Sequence, residues 1–120
     1  MIKKPDEFIR IELLPIGREI LTGRIHETNA GWIAGQVARL GHMVSRITVL
    51  DDDAQAIARQ LRSALERKTD FLITTGGLGP TFDDVTLEAL AAGANLPLCL
   101  HKDAEEFVAR CGEIGRASCR

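Results

Sequence analysis

Short apolar runs alternate with segments of helical periodicity three times along this chain, and that alternation restricts the fold more than any other feature. Residues Ile9 to Gly17 carry Ile11, Leu13, Leu14 and Ile16 and read as a buried strand ending at a glycine. His42 to Leu50 supplies Val44, Ile47, Val49 and Leu50 for a second strand, and Phe71-Leu72-Ile73 makes a third. A helix is expected from about Asn29 to Leu40, with Ile33, Val37 and Leu40 on one face, Thr28 or Asn29 as N-cap and Gly41 just past its end. A second runs to about Lys68 with Ile57, Leu61 and Leu65 in register, Asp52 and Gln55 forming a capping box at its start. A third follows with Leu87, Leu90, Ala91 and Ala94. Strand and helix in this order make parallel βαβ units, hence an α/β sandwich. Leu96 to Leu100 reads as a further short extended piece, and Lys102 to about Arg110 as the start of a fourth helix.

In such sheets the loops after the strands gather on one edge, where ligands bind. Here those loops are Arg18 to Asn29, Asp51 to Asp53 and Thr75 to Thr86, all polar and two of them rich in carboxylates. The third is the most informative. Gly76, Gly77 and Gly79 free the backbone to approach a ligand, and loop amides before a helix N-terminus suit a phosphate-like anion. Asp83 and Asp84 stand at the same mouth. Two carboxylates would repel a bare phosphate by about 1 kcal/mol per pair at ~4 Å in water, and by more where water is excluded. A divalent cation between them removes the conflict, as Mg²⁺ does when it joins carboxylates to substrate phosphates. The plainer alternative is an aspartate N-cap after a tight glycine turn. Neither Gly-Lys-Ser/Thr nor Gly-x-Gly-x-x-Gly occurs in this loop.

Composition narrows the classes. The 120 residues suffice for one domain or part of one; 45% hydrophobic and 27% charged residues are ordinary for a soluble globular protein. A net charge of −2 without a basic stripe, few aromatics and no Tyr argue against a nucleic-acid surface. No apolar stretch approaches a membrane span, and the basic start Met1 to Glu7 lacks the apolar segment of a signal peptide. Cys99, Cys111 and Cys119 share no metal-ligand spacing and read as reduced thiols of a cytoplasmic protein.

Three linked motifs carry a family resemblance: Ile16-Gly17-x-Glu19-Ile20-Leu21-Thr22-Gly23-Arg24-Ile25-x-x-Thr28-Asn29, Asp51-Asp52-Asp53, and Thr75-Gly76-Gly77-Leu78-Gly79-Pro80-Thr81-x-Asp83-Asp84-Val85-Thr86. Together they resemble the molybdopterin-binding (MoaB/Mog-like) family, and within it the branch of the amino-terminal CinA domain. The resemblance runs from about Ile11 to Gly112. It implies a three-layer α/β/α sandwich with a mostly parallel sheet, binding molybdopterin or a nucleotide as a small phosphorylated ligand. The Mog branch adenylylates molybdopterin with Mg-ATP for molybdenum cofactor synthesis, and its two catalytic aspartates correspond by motif to Asp52 and Asp84. The CinA branch implies a metal-dependent ADP-ribose pyrophosphatase. A non-catalytic ligand-binding module remains a third reading.

The resulting expectations are specific. Asp52 and Asp84 are the catalytic candidates, with Asp83 and Asp84 on Mg²⁺. Glu19, Thr22, Gly23, Asn29, Thr75, Gly76, Gly77, Gly79 and Thr86 are the ligand-binding candidates. Asn29 and Thr86 have plain alternatives as helix cap and first-turn residue. Arg18 stands where relatives usually carry a small polar residue; it suits a phosphate clamp or a solvated loop position. His26-Glu27 replaces the more usual x-Asp before Thr-Asn.

The last eight residues, Glu113-Ile114-Gly115-Arg116-Ala117-Ser118-Cys119-Arg120, lack periodicity and match the translation of a common sequencing-library adapter. The expected division is an incomplete domain at 1–112 and a non-native tail at 113–120. A domain cut there leaves a sheet edge and a helix face uncovered, which predicts marginal stability, little activity and association, homo-oligomers included.

Overall fold

The computed structural model describes residues 9–115, with side chains to 111. The expectations for Met1 to Glu7, and for Cys119, lie outside the described residues. The elements are β1 (Ile11–Pro15), α1 (Arg18–Leu21), α2 (Asn29–Arg39), β2 (Val44–Ile47), α3 (Ala54–Glu66), β3 (Phe71–Thr75), α4 (Thr86–Ala94) and α5 (Lys102–Gly115).

The sheet has the order β2-β1-β3 with both pairings parallel. Alternation along β1 divides the core. Ile11 and Leu13 pack with Ala30 and Val37 of α2, while Leu14 and Ile16 pack with Ile57 of α3 and Ala89 of α4. Helices thus cover both faces of the sheet, giving the expected three layers. The faces are tight because small residues meet there: a Cβ on Gly93 of α4 would lie 3.0 Å from the backbone of Ala58 in α3. Burying apolar side chains of this size contributes about 1.5–3 kcal/mol each.

Glu12 is the charged exception in the central strand, only 5% exposed. Its carboxylate accepts from Arg67 Nε and Nη2, each at 2.8 Å, and from Thr69 Oγ1 at 2.8 Å. That fork holds the Glu12 carboxyl below its usual range. The pair ties the end of α3 to the start of the sheet, opposite the functional rim.

Several local expectations are corrected. The polar segment after β1 contains a one-turn helix, α1. The second strand is shorter than His42 to Leu50: it ends at Ile47, although Thr48 N still donates to Leu13 O at 3.0 Å and Leu50 N to Pro15 O at 2.9 Å, beside the isolated bridge between Ile16 and Leu50. Leu96 to Leu100 is not a strand among the described residues. Asn95 takes the left-handed conformation at φ 56° and ends α4, and Pro97 supplies no backbone donor for a ladder. Helix α5 continues past Arg110 through Gly115, so its backbone enters the stretch read as a tail; the remainder of that stretch lies outside the described residues.

Candidate functional site at the C-terminal rim of the sheet

Two backbone bonds knit the three loops at their origins. Ile16 N donates to Thr75 O at 2.8 Å, and Gly17 N donates to Leu50 O at 2.9 Å. The loops after β1, β2 and β3 therefore leave the sheet side by side. Between them lies a cleft of about 640 Å³ lined by Arg18, Glu19, Thr22, Arg24, Asp52, Phe82, Asp83 and Val85.

Helix capping decides which aspartate faces this cleft. Asp53, not Asp52, is the N-cap of α3, its Oδ1 accepting from Gln55 N at 2.9 Å and Ala56 N at 3.2 Å. Asp52 is thereby released from the expected capping box. One of its oxygens, Oδ2, instead accepts from the Arg18 amide at 3.1 Å. At α2 Thr28 is the N-cap, as expected, but makes no side-chain cap bond; Glu27 Oε1 accepts from Ala30 N at 2.8 Å instead.

Arg18 does not stand free as a phosphate clamp. Its guanidinium grips Asp51, with Nε 3.0 Å from Oδ1 and Nη2 3.1 Å from Oδ2. The Asp51 contact, with smaller contributions from Asp52 and Asp83, raises the Arg18 pKa, and the same contact lowers that of Asp51. A fixed cation thus already sits among three of the rim carboxylates. Arg24 lines the same cleft and has no ion pair among the described residues.

The glycine loop is shaped by contacts that only glycine permits. Gly76 (φ 86°) passes so close to β1 that a Cβ would strike the Ile16 carbonyl oxygen, and one on Gly77 (φ 66°) would strike Thr86 Oγ1. Thr86 is fully buried; its hydroxyl donates to Gly76 O at 2.9 Å and its amide to Gly77 O at 3.3 Å. Among the described residues, the amides of Gly76, Gly77 and Leu78 find no protein acceptor.

Asp84 is held by its own loop. Its Oδ2 accepts from the Thr81 hydroxyl and from the Thr81 amide at 3.1 Å, and the hydroxyl contact, aided by the Thr81 and Gly79 amides, lowers its pKa. A Cβ on Gly79 would fall 2.6 Å from that same oxygen. The carboxylate pins the turn and is not among the cleft-lining groups.

The structure therefore brings Glu19, Thr22, Asp52 and Asp83 together in the cleft. It does not bring Gly23, Asn29, Thr75, Gly76, Gly77, Gly79 or Thr86 into the lining. Gly23 closes α1 at φ 74° with its amide on Ile20 O, Asn29 is exposed at the start of α2, and the Thr75 carbonyl is used in the sheet. Thr86 is the latch of the glycine loop. Arg24, Phe82 and Val85 were not singled out by sequence. Arg24 and Val85 lie inside the quoted motifs, while Phe82 occupies the unassigned position before the aspartate pair.

Among the described residues no cluster of three or more His, Cys, Asp or Glu side chains forms a ready-made cage. Of the three carboxylates that line the cleft, Glu19, Asp52 and Asp83, one or two would match the Mg²⁺ habit of taking one or two protein ligands and leaving the rest to phosphates and water.

Among the described residues no helix is long and apolar enough to cross a membrane. Cys99 and Cys111 are free and exposed.

Comparison with known proteins agrees with this architecture. The family model described as "Probable molybdopterin binding domain" matches residues 12–113. Curated proteins from Sulfolobus acidocaldarius and Sulfurisphaera tokodaii are 43% and 47% identical over 97 residues, in each case 81% of this chain and 37% of the relative. The crystal structure of CinA from Thermoplasma acidophilum, described as of unknown function, superposes with a TM-score of 0.74 at 38% identity, covering 81% of this chain and 57% of that one. The tungsten cofactor synthesizing protein MoaB from Pyrococcus furiosus shares the fold at a TM-score of 0.68 and 21% identity, over 92% of this chain and 68% of its own. This chain spans just over a third of the length of those curated relatives. It belongs to the family of probable molybdopterin binding domains, with CinA and the MoaB/Mog proteins as its structural neighbours.

Proposed function

We propose that the rim cleft binds a small phosphorylated nucleotide- or pterin-like ligand together with Mg²⁺ and hydrolyses its pyrophosphate bond, as an ADP-ribose pyrophosphatase does. One observation carries this reading: the loop that gives Phe82, Asp83 and Val85 to the cleft also holds the Gly76, Gly77 and Leu78 amides without a protein acceptor among the described residues, and the cleft itself presents Asp52 and Arg24. The amides supply donors for phosphate oxygens without side-chain reorganisation. Arg24, without an ion pair among the described residues, adds a cation that would pair with an anion.

Asp52 and Asp83 would hold the metal, which when bound supplies Lewis-acid neutralisation of the phosphate charge. Asp52 is the better oriented of the two, because the Arg18 amide fixes one oxygen and leaves the other for the ligand or an attacking water. Asp84 acts on the site indirectly by holding the Thr81 turn. Hydrolysis of ADP-ribose consumes one water and yields AMP and ribose 5-phosphate, so no further reactant is needed.

The test is turnover of ADP-ribose with Mg²⁺, followed by phosphate-ester chromatography. Wild-type protein is expected to release AMP. Asp52→Asn and Asp83→Asn should each lower kcat/KM by about a hundredfold or more. Turnover only with molybdopterin and ATP would instead assign adenylyl transfer, and binding without turnover would reduce the domain to a ligand-binding module.

A further inference from the structure

Phe82 is 96% exposed although it lines the cleft. Leaving a phenyl ring in water forgoes about 1.5–3 kcal/mol of burial. Its position is not that of a loose tip. The next-but-one residue, Asp84, is bonded back to Thr81, so the turn carrying Phe82 is closed on both sides. The loop's anchor at Thr86 lies at the start of α4. Among the cleft-lining residues, Phe82 and Val85 are the apolar ones; all the others are charged or hydroxylated.

We infer that Phe82 is the specificity residue of this cleft, a platform on which the planar heteroaromatic ring of the ligand stacks while its phosphates lie toward Arg24 and the glycine-loop amides. This rests on the reading of the cleft as a site for a nucleotide- or pterin-like ligand and names the side chain that tells such a ligand from a bare polyphosphate. Stacking on one aromatic side chain discriminates by ring and not by base identity, because every such ring offers a π face. A cleft whose polar groups all serve phosphate would not distinguish pyrophosphate from a nucleoside diphosphate. The added ring makes that distinction.

The experiment is calorimetric titration of the 120-residue chain with ADP and, separately, with inorganic pyrophosphate, both with Mg²⁺. Wild-type protein should bind ADP more tightly than pyrophosphate. Phe82→Ala should weaken ADP by about tenfold or more and leave pyrophosphate unchanged, whereas Phe82→Tyr should retain both affinities. Equal affinities of wild type for the two ligands, or equal losses in Phe82→Ala, overturn the ring platform while sparing the phosphate site. Absence of binding by either ligand overturns the site and the platform with it. A change of sedimentation in Phe82→Ala with both affinities intact makes the ring a protein-contact residue and likewise overturns the proposal.

Discussion

At the scale of single residues, three consecutive aspartates do three different jobs. Asp51 takes the Arg18 guanidinium, Asp52 faces the cleft, and Asp53 caps α3. Loss of the cap in Asp53→Ala should lower stability by about 1 kcal/mol, measured as a urea midpoint shift, with ligand affinity little changed. The identical side chains hide this division from the sequence; only the point where α3 begins, one residue later than the capping-box pattern suggests, separates them. Glu12 offers a second residue-level prediction. Arg67 holds its folded pKa below the ordinary 4.5, so its contribution to stability is present above that value and is lost as pH falls through the folded value. Urea midpoints should therefore drop as pH falls below about 4.5, and Glu12→Gln should remove that part of the slope. Arg67→Met, which leaves the Glu12 carboxylate with Thr69 as its remaining side-chain donor, should lower the urea midpoint at neutral pH.

At the scale of elements, the parts legible in the sequence are those whose pattern is a local periodicity. Ile11, Leu13, Leu14 and Ile16 announced β1, and Ile57, Leu61 and Leu65 announced α3, because burial on a sheet face or helix stripe repeats along the chain. What was not legible depends on neighbours distant in sequence. Val49 and Leu50 look like strand, yet the regular strand ends at Ile47, and beyond it the chain is tied to β1 through the Thr48 and Leu50 amides. Leu96 to Leu100 looks extended but has no pairing partner among the described residues. The glycines of the third loop are legible as a turn, but the role of Thr86 is not: the motif suggests a ligand contact, and the side chain is buried with its hydroxyl on Gly76 O. Gly76→Ala should therefore destabilise by at least about 1–3 kcal/mol, from its positive φ and the approach of Ile16 O. Thr86→Val keeps the shape and deletes the bond; a loss of about 1 kcal/mol in thermal or urea unfolding is expected.

At the scale of the whole molecule, the rim site is assembled by a single topological fact, three parallel strands ending together. The far end of the chain is less well covered. The segment after α4 exposes Leu96, Leu98 and Leu100, and α5 exposes Phe107 and Val108 while packing little against the other elements. Apolar surface of this extent predicts concentration-dependent self-association. Sedimentation should show it, and Leu100→Glu combined with Val108→Glu should shift the chain toward monomer; a wild-type protein monomeric at every concentration would refute it.

The account stands on where a phosphorylated ligand sits, and amide chemical-shift mapping with ADP-ribose and Mg²⁺ reads that position directly. The largest shifts are expected at Gly76, Gly77, Leu78, Asp52 and Asp83. Shifts gathered instead on the groove between α3 and α4, around Gln55, Arg59 and Glu88, with the glycine-loop amides unmoved, would contradict it.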